Sequence, residues 1–106
     1  PVFYCHSEVV SVDFEEDVDV QEIVRLFSES DGIKLIGNGK NGNYPTPSMV
    51  EGEDDIFIGR IRKDLSNDKG INFWLVSDNL RKGAALNAIQ IMESAIKLGR
   101  IPNFEA

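Results

Sequence analysis

The hydrophobic period of this chain changes from two residues to about 3.6 within its first third, and that change does most to limit what it can fold into. Val10, Val12 and Phe14 alternate with Ser11, Asp13 and Glu15, the pattern of a strand with one face in water. A first strand is expected over roughly 8–15, continuous with the extended opening Pro1-Val2-Phe3-Tyr4. Asp19 followed three residues later by Glu22 has the logic of a capping box, with aspartate in place of Ser or Thr. Ile23, Leu26 and Phe27 then recur at i, i+3 and i+4. The spacing predicts a helix to about Ser30, with Gly32 placed for a left-handed exit. Ile33-Lys34-Leu35-Ile36 is short, apolar and rich in β-branched residues, which predicts a second strand. Strand, helix and strand in that order make a βαβ-like unit.

From Gly37 to Asp55 the chain is rich in Gly and Asn and carries Tyr44-Pro45-Thr46-Pro47. Two prolines one residue apart disfavour helix and hold the backbone extended, so this stretch reads as a long loop. Ile56 to Arg62 and Ile71 to Val76 predict two more strands, joined by Leu65-Ser66-Asn67-Asp68-Lys69-Gly70 as an antiparallel hairpin. Strict alternation puts Ile56, Ile58, Arg60 and Arg62 on one face, with Phe57, Gly59 and Ile61 on the other. An arginine pair extending an apolar face marks an interface or an anion contact, although exposed arginines at strand ends are commoner. The final element is the clearest, with Ala85, Ala88, Ile89, Met92, Ala95 and Ile96 forming a helical stripe from about Asp78 to Leu98. Asp78 suits its N-cap, and Gly99 its exit, with Pro102 beyond. Gly83-Ala84-Ala85 places very small side chains in the first two turns, where a backbone, a cofactor or another helix can approach closely. Plain helix–sheet packing is the commoner use of such a stripe. The expected architecture is α+β: a mixed sheet, a packed helix and a long C-terminal helix.

A chain of 106 residues is long enough for one core. Its 42% hydrophobic and 27% charged content belongs to an ordinary globular protein. The formal net charge of −7 argues against nucleic acid or anionic membrane as a partner through bulk electrostatics. Acidic residues dominate up to Gly59 and basic ones after it, a division most often found on solvated surface. A single cysteine makes no internal disulfide or thiolate metal cluster, and no run approaches the roughly 20 apolar residues that span a bilayer. A cytoplasmic setting is expected.

Cys5-His6-Ser7 carries the chemistry. His6 is the only histidine, and a histidine exchanges a proton near neutral pH because its unperturbed pKa is about 6.5. It is the evident general acid/base, and its place six residues into a chain without an initiator methionine leads one to expect a preceding segment. Neighbouring residues on a strand point to opposite faces, so Cys5 and His6 do not make a nucleophile–base dyad. No Gly-x-Ser-x-Gly elbow is present. Glu53-Asp54-Asp55 lacks metal-loop spacing, and no metal site is expected. Gly37-Asn38-Gly39-Lys40-Asn41-Gly42 lacks the Gly-Lys-Ser/Thr ending and following helix of a phosphate loop.

Four ordered motifs together resemble the C-terminal segment of the aspartate-β-semialdehyde dehydrogenase family. They are Pro1-Val2 leading into Cys5-His6-Ser7-Glu8, Tyr44-Pro45-Thr46-Pro47, Ile58-Gly59-Arg60-Ile61-Arg62-Lys63-Asp64, and Ser77-Asp78-Asn79-Leu80-Arg81-Lys82-Gly83-Ala84-Ala85-Leu86-Asn87-Ala88. The resemblance implies a dimerisation-domain fold and NADP-dependent reductive dephosphorylation of β-aspartyl phosphate to aspartate semialdehyde, an early step toward lysine, methionine and threonine. In the family a cysteine forms a thioacyl enzyme and a histidine acts as acid/base. By that resemblance His6 matches the catalytic histidine and Asn79 the amide residue that contacts the cofactor. Residues 1–77 match a dimerisation and catalytic-domain portion, and 78–106 the helix that returns to the nucleotide-binding domain. A homodimer or larger homo-oligomer is implied, and because the family dimerises through such a sheet face, Ile56, Ile58, Arg60 and Arg62 are expected near that surface.

The departures are equally definite. The family's Ser-Asn-Cys-Thr type nucleophile motif is absent, Cys5 does not correspond to it, and neither the glycine-rich nucleotide fold nor the substrate-binding arginine upstream of the Pro-Val segment is present. On this sequence the chain is expected to be inactive alone. The competing expectation is a non-catalytic ligand-binding or interaction module of the same fold.

Overall fold

The computed structural model describes residues 1–37 and 42–101. Residues 38–41 of the Gly/Asn run and Pro102 lie outside the described residues. Strand β1 (His6–Asp13) is followed by helix α1 (Val20–Ser28), strand β2 (Ile33–Leu35), a short helix α2 (Pro47–Val50), and strands β3 (Ile56–Lys63) and β4 (Gly70–Ser77). An irregular, wide helical turn (Arg81–Ala85) then leads into helix α3 (Leu86–Lys97). The four strands form one mixed sheet in the order β1-β4-β3-β2, with β2 parallel to β3 and the other two pairings antiparallel. The strand–helix–strand unit therefore joins parallel strands at opposite edges, and the β3–β4 hairpin fills the space between them.

Asp19 caps α1 by accepting a hydrogen bond from the Gln21 amide at 2.9 Å. Val20, Ile23, Val24 and Phe27 pack on Ile58, Ile61, Ile71 and Phe73. Phe27 meets Phe73 edge to face, with ring centroids 5.5 Å apart. Leu26, expected on that face, is exposed. Gly32 leaves the helix region at φ +77°, the left-handed conformation its position calls for.

Two expectations fail for identifiable reasons. Pro47 does not keep the chain extended but opens α2, because a proline at the first helical turn loses no hydrogen bond there. In β3, strict alternation breaks between Gly59 and Arg62: the pairing runs Gly59↔Trp74 and then Arg62↔Asn72, so one extra residue bulges, with Arg60 at φ +57°. The bulge turns Ile61 to the same side as Ile58, under α1, and leaves Arg60 and Arg62 with Tyr44 on the opposite side. Ile56 and Ile58, expected near an association surface, thus pack with the α1 core.

The sheet's other side is only partly covered. Cys5, Val50, Phe57 and Val76 form a second, smaller core beneath the 43–50 segment. Pro45 is fully buried there, and its carbonyl accepts the Trp74 indole N–H at 2.8 Å. Beyond it Val9, Trp74, Arg60, Arg62 and Tyr44 line an open depression of about 380 Å³. Helix α3 has no buried residue, and Ile89, Ile91, Met92 and Leu98 are exposed. Packing of α3 on the sheet, the commoner use of such a stripe, is therefore not what the structure shows. The Cα radius of gyration is 16.0 Å, against about 13 Å for a compact domain of this length, because the helix projects.

Candidate functional site

The register of β1 on β4 sets His6 opposite Ser77. Asp78 and Asn79 follow immediately, so both candidate residues stand at one end of the sheet although they come from opposite ends of the sequence. His6 lies on the same strand face as Glu8, Val10 and Val12, and Glu8 Oε1 is 2.9 Å from His6 Nε2. Both side chains are more than half or about half exposed, so this pair orients the ring more than it stabilises the fold.

Cys5 adopts φ +71°, and its side chain is buried with Val50, Phe57 and Val76 rather than beside His6. Burial, then the negative charges of Asp78 and Glu51, push its thiol above the ordinary range. A raised, buried thiol is a poor nucleophile, and it is the left-handed backbone of Cys5, ahead of β1, rather than strand alternation that goes with its side chain entering that core.

Asn79 is exposed at the start of the irregular turn. Asp78 just before it is buried, with 7% of its surface exposed, and its carboxylate is fully engaged. Oδ2 accepts the Gly52 amide at 2.9 Å and Oδ1 accepts the Leu80 amide at 3.0 Å. These bonds, the one from Gly52 foremost, hold its carboxyl below the usual carboxylate range. The Asp78 carbonyl accepts the Arg81 and Lys82 amides, starting the turn. Ala84 breaks that turn with φ −136° and ψ −112°. The turn is thus a bend in the backbone built from small residues, and the sequence pattern read it as continuous helix.

Glu53-Asp54-Asp55 is occupied by ion pairs. Lys34 Nζ lies 3.0 Å from Asp55 and 3.3 Å from Glu53, and these two carboxylates, Asp55 first, raise the Lys34 pKa. Arg81 pairs with Asp54. An open groove of about 420 Å³ lies at the same end as His6, between Pro1–Tyr4 and Pro47, Ser48 and Glu51. Sequence reasoning missed both the engagement of Asp78 with Gly52 and this groove. A buried aspartate between Ser77 and Asn79 was legible only as a helix cap.

Residues 1–82 match the model of the semialdehyde dehydrogenase dimerisation domain. Aspartate-semialdehyde dehydrogenase of Aquifex aeolicus is 46% identical over 101 residues, covering 95% of this chain and 30% of that protein. The enzyme of Prochlorococcus marinus is 48% identical over 93 residues, covering 88% of this chain and 27% of that protein. Among solved structures, aspartate semialdehyde dehydrogenase II of Vibrio cholerae, complexed with ASA, superimposes with a TM-score of 0.82 at 38% identity, covering 97% of this chain and 29% of that one. The chain spans about 30% of the length of the curated relatives it matches. Fold, ordered motifs and these likenesses agree, and the chain belongs to the semialdehyde dehydrogenase dimerisation-domain family.

Proposed function

We propose that this chain is the C-terminal portion of a cytoplasmic, NADP-dependent aspartate-semialdehyde dehydrogenase, acting on β-aspartyl phosphate in the biosynthesis of lysine, methionine and threonine. Within it His6 is the acid/base residue and Asn79 contacts the cofactor. The observation that carries the reading is the β1–β4 register, because it delivers a titratable imidazole and an exposed amide to the same end of one sheet.

The exposure of His6 leaves its ring open to substrate as a general acid/base. Glu8, at 2.9 Å from Nε2, fixes the ring's orientation and leaves Nδ1 on its other side. When bound in its reduced form, NADPH, the cofactor supplies the hydride. The local chain suits a nucleotide: Asn79 presents both a donor and an acceptor, and the nearest atom to a Cβ built on Gly83 is Asn79 Cβ at 3.6 Å. Residues 1–77 form the dimerisation and catalytic-domain portion, and 78–106 return to the nucleotide-binding domain, whose surface covers the exposed apolar side chains of α3. A second copy of the subunit covers the open sheet face around Val9 and Trp74, giving a homodimer or a larger homo-oligomer.

The test uses the complete enzyme. His6→Asn is expected to lower kcat by about 10²- to 10⁴-fold, the usual contribution of general acid–base catalysis, with the KM for NADP little changed. Asn79→Ala is expected to raise the KM for NADP. Unchanged turnover in the His6 variant overturns the catalytic assignment and favours a non-catalytic module of the same fold.

A further inference from the structure

We infer that Asp78 is a positioning residue, tying Asn79 to the Gly52 turn and so holding the site amide at the His6 end of the sheet. The inference rests on the reading of Asn79 as the cofactor contact.

The two carboxylate oxygens have different jobs. Oδ1 accepts the Leu80 amide, which closes a ring of main chain and side chain around Asn79 and fixes that residue's backbone as the middle member of an Asx turn. Serine or asparagine would do as much. Oδ2 accepts the amide of Gly52, a residue from the turn between α2 and β3, where φ is +82°. Only a carboxylate accepts from both amides at once, since the NH₂ of an asparagine would meet one N–H donor with another. A charge as buried as that of Asp78 is costly to keep unless both oxygens are bonded. A helix start that needed only a cap would be served as well by an exposed Ser, Thr or Asn, with no carboxylate to bury. The Arg81–Asp54 ion pair joins the same two segments one turn further on. The site end of β4 is therefore clamped to the 51–55 segment on both sides of Asn79, and the clamp runs through Asp78.

In the complete enzyme, Asp78→Asn and Asp78→Ser keep the Leu80 cap and lose the Gly52 tie. Each is expected to raise the KM for NADP about tenfold, the scale of one buried hydrogen bond, with kcat held within about twofold. In an Asn79→Ala background neither should raise it further. If Asn79→Ala raises the KM for NADP but the Asp78 variants leave it unchanged, or add their full effect to that of Asn79→Ala, the positioning role is overturned and the Asn79 reading stands. If Asn79→Ala itself has no effect on that KM, the Asn79 reading fails first. If both Asp78 variants yield no folded enzyme, Asp78 is a structural residue and the positioning role is likewise overturned.

Discussion

Gly59 sits where the sheet, the 43–50 segment and the bulge meet, and replacing it with alanine tests whether the covered half of that face depends on close backbone approach. A Cβ at Gly59 would lie 2.7 Å from the Ile36 carbonyl oxygen and 2.8 Å from Pro45 Cδ, both well inside contact distance. Neither is the end of a flexible side chain. Ile36 is tied to β3 through its amide, which donates to the Ile58 carbonyl at 2.9 Å, so the β2–β3 edge is strained and the Pro45 ring must move as well. Overpacking of this kind costs about 1–3 kcal/mol. Moving Pro45 also weakens the Trp74 indole bond to its carbonyl, which adds about 0.5–1.5 kcal/mol. Against this, alanine reduces the freedom of the unfolded chain by about 0.4–1 kcal/mol. The balance is a destabilisation of about 2 kcal/mol, and with a urea slope near 1.3 kcal/mol/M the unfolding midpoint should fall by about 1.5 M. Trp74 is the only tryptophan, so its emission reports both the unfolding and the loss of its hydrogen bond. Gly59→Ala with an unchanged midpoint and unshifted Trp74 emission would refute the argument, because it would mean that Pro45 is not pinned against the sheet.

Two further predictions concern charge and association. Asp64 accepts the Ser66 hydroxyl and amide and the Asn72 amide group, and these bonds, the Ser66 hydroxyl first, hold its pKa below the ordinary aspartate value. A depressed folded pKa gives stability that is present above the unfolded value of about 3.9 and lost as pH falls through the folded one. Urea midpoints measured from pH 5 downward should therefore decline less steeply in Asp64→Asn than in the parent; identical slopes would remove Asp64 from the acid response. On the open face Val9 is 65% exposed beside Trp74, so Val9→Glu should shift the complete enzyme toward monomer in sedimentation, whereas a variant with unchanged mass would move the contact elsewhere.

β1 and α1 were legible because each has one wet face and one dry one, which writes its period into the sequence, whereas β3 and β4 bury side chains on both faces and read as apolar runs bounded by turn residues. Val10 and Val12, Ile23 and Phe27, and Ile71 and Phe73 all meet in the α1-side core that their spacing implies. The errors fall where a single backbone residue leaves its region. Arg60 at φ +57° shifts the inward face of β3 by one residue, so Ile61 joins Ile58, and no side-chain pattern announces a bulge at an arginine. Pro47 looked like a helix breaker because the same residue type that ends helices also begins them. His6 stood out as the only histidine and Asn79 through a family motif, but placing both at one end of the sheet required the β1–β4 register, a pairing of distant segments that local pattern does not encode. The Asp78–Gly52 bond is of the same kind: it joins two turns, and taken alone Asp78 reads as a helix cap and Gly52 as part of a loop.

The exposed apolar side chains of α3 bear on the same division of labour. Ile89, Ile91, Met92 and Leu98 do not share one stripe, and a helix apolar on several sides is normally enclosed on several sides. The sheet does not provide that enclosure, since α3 leaves it through the bend at Ala84. Under the proposed reading the nucleotide-binding domain does, which makes α3 the element that brings this domain and the cofactor together. Asn79 lies on the sheet side of the bend, and Asp78 anchors it there rather than to the helix. On that reading the proposed cofactor contact lies on the sheet side of the bend at Ala84 and the docking helix on the other. The Asp78 clamp before the bend and the projecting helix after it then divide the junction between the site end and the docking end.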